Sequence, residues 1–324
     1  MNIRQLRYIS EVAKHGLNVS ATAESLYTSQ PGVSKQIRQL EDELGVQIFE
    51  RSGRQLTRIT PAGQVLIELA DRALIEVETI RRQAREFSDP KRGSLSIGAS
   101  HTQARYVLPE VLSAFHQQYP QVHIELHQGT PLQLAQLLED GQADFAIATE
   151  SLQHFDNLVM LPCYNWQRGV LVPVGHPLAD GEPLTLERLA SYPLLTYVFG
   201  FAPGSVIERA FRARKLQPEI ALTATDADVL KNYVRLGFGV AVIARMCWTE
   251  ADRTDLRMID ASHLFDASMV KIGFRRGTFL RRYMYDFLEG FAPHLTREAI
   301  DTALGVTNHR ALEALFVDAE LPLR

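Results

Sequence analysis

Apolar residues recur three and four positions apart through the first ninety residues, and the period changes after that. Ile3, Leu6, Ile9, Val12 and Ala13 mark one face of an amphipathic helix that Gly16 ends. Val19–Leu26 predicts a second, short helix with Ala21, Leu26 and Val19 facing inward. Thr28–Glu41 predicts a third, in which Val33, Ile37 and Leu40 form the apolar stripe. Ser29 or Gln30 can cap it, and Pro31 fits its first turn. Residues 44–63 read as a short hairpin with Arg51 and Arg54 at its tip and Arg58 on its return arm. Thr60-Pro61 opens a long helix whose Leu66, Ala70, Ala73, Val77, Ile80, Ala84 and Phe87 keep a heptad. Such a seam pairs helices, either between two chains or on the surface of one domain. Ser88–Gly93 reads as a linker.

Beyond Gly93 short apolar runs alternate with helical patterns. Strands are predicted at 94–99, 122–127, 145–148, 170–174, 194–198, 220–224, 240–243 and 269–274. Residues 103–118 read as a helix that Pro109 kinks or starts, and 131–140 as another. This alternation predicts an α/β fold with largely parallel sheets, as one large sheet or two lobes. Two lobes would put a ligand cleft outside the strand C-terminal ends. Residues 295–324 predict two short amphipathic helices, packed on this domain or on another subunit.

Charge sharpens the division. The chain of 324 residues has a formal charge of −4, which excludes a uniformly basic coat. Residues 1–92 nevertheless carry 14 Lys and Arg against 12 Asp and Glu, so a small DNA-binding unit fits there. Cys163 and Cys247 stand in no metal-like spacing and predict buried thiols in a reducing cytoplasm. No signal peptide, membrane-spanning run, metal motif, nucleophile elbow or nucleotide fingerprint is legible, so no catalytic residue, metal or cofactor is expected.

Two candidate sites emerge. Two short helices joined by a turn, the second bearing Gln30, Ser34, Lys35 and Arg38 outward, suggest a helix-turn-helix. A solvated bundle face is the alternative, which the basic hairpin weakens, because beside such a helix it reads as a wing. In the second half, Ser100-His101-Thr102-Gln103 follows the first strand and opens a helix. Hydroxyls, an amide and free N–H groups there can hold a small oxyanion, with Thr149 at the same edge. Simple capping by Ser100 and Thr102 stays open. Tyr164 and Trp166 fit a cleft wall or the core, and Asp226 and Asp228 read as N-caps.

The run AESLYTSQPGVSKQIRQLEDELGVQIFER, followed by TPAG and a long helix, resembles the LysR-type transcriptional regulators. ASHTQARYVLP, HQGTP, ADFAIATE, LVMLPCYNW, LTYVFGF and TATDADVLKNYVRLGFGVAVIA resemble the branch of that family tied to cysteine biosynthesis and sulfur metabolism. The resemblance implies a winged helix-turn-helix over 1–59 and a linker and dimerisation helix with hinge over 60–92. It implies a periplasmic-binding-protein-like effector domain over 93–324, with lobe I at about 93–163 and 268–324 and lobe II at about 164–267. DNA would be met by Ser29, Gln30, Pro31, Ser34, Lys35, Arg38, Arg51 and Arg54. The effector, sulfate or O- or N-acetylserine, would meet Ser100, Thr102, Gln103, Thr149 and position 202. Ser100 and Ala202 stand where this branch usually has Thr, so Ala202 lacks a hydroxyl. The expected protein is a cytoplasmic homodimer or homotetramer that binds pseudo-palindromic double-stranded DNA and works with RNA polymerase. The competing reading is a small-molecule-binding α/β protein, or an enzyme with a helical appendage.

Overall fold

The computed structural model describes the chain except residues 54, 89–91, 150–157, 307 and 318 and the side chains of 79, 81–83, 85–88, 309 and 310. Two compact units result, Met1–Ser88 and Asp89–Arg324.

In the first unit α1 (Ile3–Lys14), α2 (Val19–Ser25) and α3 (Gln30–Leu44) precede β1 (Phe49–Ser52), β2 (Gln55–Ile59) and α4 (Pro61–Ser88). Asn2 and Gln5 cap α1 reciprocally, and the Ser29 hydroxyl accepts the Gly32 N–H at the start of α3. Ile9, Val12, Val33, Ile37, Leu40, Ile48 and Phe49 form the core. On α2 the buried residues are Thr22 and Ala23, while Ala21, Val19 and Leu26 are only partly covered. The TPAG segment has a local logic. Thr60 Oγ1 accepts the Gly63 N–H, and a Cβ at Gly63 would lie 2.1 Å from the Ile48 carbonyl oxygen. Only glycine lets α4 leave the hairpin at that distance.

The heptad is divided in use. Ala70 is buried in this unit's own core and Leu66 packs against it, because α4 lies along α1. Val65, Leu69 and Ile80 are the exposed large apolar residues among the described side chains of α4. The side chain of Phe87 lies outside the described residues.

The second unit contains β3 (Gly93–Ala99), α5 (His101–Tyr106), α6 (Leu108–Gln118), β4 (Val122–Gln128), α7 (Pro131–Glu139), β5 (Phe145–Ala148) and β6 (Leu158–Trp166). There follow β7 (Arg168–Pro173), α8 (Leu186–Ala190), β8 (Leu194–Tyr197), α9 (Val206–Ala213), β9 (Ile220–Ala224), α10 (Ala227–Arg235), β10 (Val240–Ala244) and β11 (Leu256–Asp260). The chain ends with β12 (Ser268–Arg275), α11 (Arg282–Phe291), α12 (Arg297–Gly305) and α13 (His309–Ala314). Two five-stranded sheets form, in the orders β4-β3-β5-β12-β6 and β11-β7-β10-β8-β9.

Three strands of each sheet are parallel. A fourth, β6 in the first and β11 in the second, points the same way, and β12 and β7 run against the rest. Two of the four strand pairs in each sheet are therefore antiparallel, because the strand that enters each sheet from the other, β12 or β7, runs against its direction. The first lobe also extends beyond residue 163, since β6 stays paired with β12 as far as Trp166. Pro109 starts α6 rather than kinking one long helix, which leaves α5 as a separate short helix. Ile300, Ala303 and Leu312 join the core of this unit, so α12 and α13 pack on it.

Candidate functional site

The outward face of α3 carries Gln30, Ser34, Lys35 and Arg38 with Pro31 in its first turn, while Ser29 is occupied as the cap. The wing differs from expectation. Arg51 Nη2 lies 2.5 Å from Glu41 Oε2, and Glu41 Oε1 accepts the buried N–H groups of Ile48 and Phe49. Arg51 therefore fastens the hairpin to α3, and a phosphate contact does not follow from its place. Arg58 is held by both oxygens of Glu50 across the hairpin, at 3.1 and 2.6 Å. Arg54 lies outside the described residues.

A small cleft of about 30 Å³ lies where the strands of both sheets end. Ser100, Thr102 and Gln103 reach it from α5, and Thr149 from the end of β5. Trp166, Tyr197, Thr225 and Ala244, at the ends of β6, β8, β9 and β10, complete much of its wall. Ser100 occupies the cap position of α5, yet its hydroxyl makes no capping hydrogen bond. The Trp166 indole N–H donates to Thr149 Oγ1 at 3.2 Å, which leaves the Thr149 hydroxyl proton to donate elsewhere. The Tyr164 hydroxyl donates to Gln103 Oε1, so the amide hydrogens of that buried Gln are the donors left over. Burial keeps the phenols of Tyr164 and Tyr197 protonated by pushing both well above the usual tyrosine range.

Among the described residues no Lys or Arg lines the cleft. Arg168 sits behind the wall, its guanidinium 4.4 Å from the Trp166 ring. Acceptors engaged from behind, donors facing in and positive charge at one remove suit a small oxyanion. Ala202 does not belong to this wall. After β8 the chain turns, Phe199 stacks on Tyr197 with ring centroids 5.5 Å apart, and Ala202 is left exposed. Thr225, in the TATDAD segment, is a hydroxyl of the wall that no sequence pattern singles out.

Cys247 stands beside the cleft, its Sγ 3.9 Å from Thr102 Oγ1 and 3.6 Å from the Tyr197 hydroxyl. Burial raises its thiol to about 11, against the pull of its hydrogen bonds with Tyr197 and Thr102. Cys163 is raised by burial as well. Thiolate is therefore scarce at neutral pH. Iodoacetamide at pH 7.5 should leave both cysteines unmodified in the folded chain and label both in denaturant, as mass spectrometry will read. Labelling of folded Cys247 at the rate of a free thiol would contradict this environment.

The far end of α5 is anchored to the second lobe. The Tyr106 hydroxyl donates to Asp228 Oδ1 at 2.7 Å, and Arg105 pairs with the same carboxylate. Lys231 Nζ, almost fully buried, donates to the Tyr106 hydroxyl at 3.1 Å and to Asp252 Oδ2 at 2.7 Å. Arg235 adds bonds to Asp252 and Asp255. Asp226 caps α10 as expected, accepting the Asp228 N–H, whereas Asp228 serves this network.

Among the described residues no three His, Cys, Asp or Glu are grouped to hold a metal, and no helix is long and apolar enough to cross a membrane.

Residues 3–64 match the bacterial regulatory helix-turn-helix of the lysR family, and residues 88–296 match the LysR substrate binding domain. The chain is 50% identical to the HTH-type transcriptional regulator CysB of Haemophilus influenzae over 99% of both chains. It is 47% identical to the regulator SsuR of Burkholderia cenocepacia over 93% of this chain and 97% of that one. The crystal structure of the cofactor-binding domain of the Cbl transcriptional regulator superposes with a TM-score of 0.63 at 43% identity, covering 66% of this chain and 93% of that one. A DNA-binding helix-turn-helix joined to a two-sheet effector domain, matched along nearly the whole chain, places this protein in the LysR family of transcriptional regulators.

Proposed function

We propose that this regulator controls genes of sulfur assimilation and cysteine biosynthesis in the cytoplasm, and that its effector is a small oxyanion, sulfate or the carboxylate of O- or N-acetylserine. The observation that carries the reading is the cleft wall, where Ser100, Thr102, Gln103 and Thr149 gather with no Lys or Arg among the described lining residues. Each hydrogen bond from such a group to an anion contributes about 1.5–3 kcal/mol. The ligand is held and released unchanged, so acetylserine incubated with the protein should be recovered intact.

Calorimetric titration with sulfate, thiosulfate and both acetylserines tests the site. Thr149→Val keeps the shape, removes a donor and strips Trp166 of its acceptor, so affinity should fall roughly tenfold or more. Wild-type affinity in that variant, or no binding by the wild type, would move the site elsewhere.

On the DNA side, Gln30, Pro31 and Ser34 lie near base edges, while Lys35 and Arg38 carry the charge. A Lys35→Ala, Arg38→Ala double variant should bind operator DNA more weakly across sequences. Its salt dependence should be shallower by about one unit for each phosphate that is no longer neutralised. Unchanged footprinting would remove α3 from the major groove. The exposed Leu69 and Ile80, about three turns apart on one face of α4, pair with a second copy. That arrangement supplies two recognition helices for a pseudo-palindrome, with RNA polymerase as the downstream partner.

A further inference from the structure

Strand β6 lies at the edge of its sheet, where backbone groups lack a neighbouring strand. At Asn165 that edge is closed by the last residues of the sequence. The Asn165 N–H donates to the Pro322 carbonyl at 2.9 Å, and the Arg324 N–H donates to the Asn165 carbonyl at 2.9 Å. Leu323 and Asn165 form a parallel bridge. Arg324 also lays its guanidinium 4.9 Å from the centroid of the Tyr164 ring.

Residue 165 is not an arbitrary point of attachment. Its two neighbours are the residues of β6 that reach the cleft groups. Tyr164 donates to Gln103, and Trp166 donates to Thr149. The bridge grips the backbone between them, close to where β6 ends and the chain leaves for the other lobe. Opposite, the pairing with β12 slips by a residue between Val270 and Lys271, so the inner ladder is irregular beside this stretch. A strand end held irregularly on one side gains definition from a partner on the other.

We infer that residues 322–324 are a strap that positions the effector site, fixing β6 at Asn165 so that Tyr164 meets Gln103 and Trp166 meets Thr149. Arg324 is then a positioning residue that touches no ligand. The inference rests on the proposed effector cleft, and it adds a determinant of affinity on the back of the wall.

Three substitutions of the exposed Arg324 test it. Arg324→Pro removes both the N–H and the guanidinium and should weaken binding of sulfate or acetylserine about tenfold, counting one hydrogen bond and one ring contact. Arg324→Ala keeps the N–H and should cost about threefold. Arg324→Lys restores a cation over the ring and should bind nearly as wild type does. In a Tyr164→Phe background, which lacks the bond to Gln103, Arg324→Ala should have no further effect.

Amide hydrogen exchange without ligand separates the strap from the effector reading. Arg324→Pro should speed exchange at residues 163–167 and 100–104 and leave the second sheet unchanged. If the wild type bound none of the probes, the effector reading would fall while exchange still decided whether the strap holds the wall. Unchanged exchange and unchanged affinity in Arg324→Pro would overturn the inference. Additive losses in the Tyr164→Phe background would overturn the route through Gln103.

Discussion

Lys231→Met should lower the melting temperature of the effector domain by about 10 °C, the largest loss of stability expected from any single side chain in it. The ammonium is almost completely buried and neutralises Asp252, which is itself 5% exposed. Methionine fills similar space but leaves the buried carboxylate to Arg235 and the neutral donors of Thr249. Removing one partner of a buried pair costs about 3–5 kcal/mol, far more than a surface pair. It also takes the second lobe's ammonium from Tyr106, so α5 loses one of its ties there. Adding Asp252→Asn to Lys231→Met should recover part of the loss, because no uncompensated charge then remains. A single variant that melts with the wild type would mean that water or Arg235 already neutralises Asp252.

The same pair sets an acid limit. Burial raises Asp252, but hydrogen bonds from Lys231, Thr249 and Arg235 outweigh it and hold the carboxyl at about 2. Its folded value lies below its unfolded one, so its stabilisation is complete above about pH 4 and is lost as pH falls towards 2. That contribution is about 2 kcal/mol, and it should be missing from the acid-unfolding curve of Asp252→Asn.

What the sequence displayed and what it hid follow from the range of each interaction. The helix-turn-helix was legible because capping by Ser29 and the stripe of Val33, Ile37 and Leu40 are local signals. The cleft residues after β3 and β5 were legible because strand ends in an α/β sheet gather on one edge. Strand β6 is hidden in the sequence because Pro162 within it cannot donate to a ladder; its place at the sheet edge, beside an irregularity in the pairing, makes the proline tolerable. Lys231 and Asp252 meet across 21 residues, and Tyr106 joins them from 125 residues away, separations that no periodicity reports. Ala202 misled for the opposite reason: its position was carried over by likeness, while the turn after β8 gives that part of the wall to Phe199. The heptad of α4 was real as a pattern, but pattern alone cannot tell whether α1 or a second chain covers a stripe.

Glu41→Ala should abolish operator binding while leaving effector titration unchanged. Glu41 sits near the end of α3 and looks in sequence like one more acid of the run Glu41-Asp42-Glu43. In the fold it is buried and accepts the N–H groups of Ile48 and Phe49 at 3.0 and 3.1 Å, with Arg51 on its other oxygen. Alanine leaves two buried donors without a charged acceptor, and each such bond contributes about 1.5–3 kcal/mol. The unit has one small core, so a loss of about 3 kcal/mol or more should unfold a large share of it near 37 °C. Glu41→Gln keeps an acceptor oxygen but gives up the ion pair with Arg51, so it should cost less and leave partial binding. Arg51→Ala should be milder again, because the backbone bonds to Glu41 remain. Exchange of the Ile48 and Phe49 amides separates this route from a direct contact. They should lose protection in Glu41→Ala and keep it in the Lys35→Ala, Arg38→Ala variant, although DNA binding is impaired in both. Protected amides in a Glu41→Ala protein that cannot bind DNA would instead make Glu41 part of the DNA-reading surface.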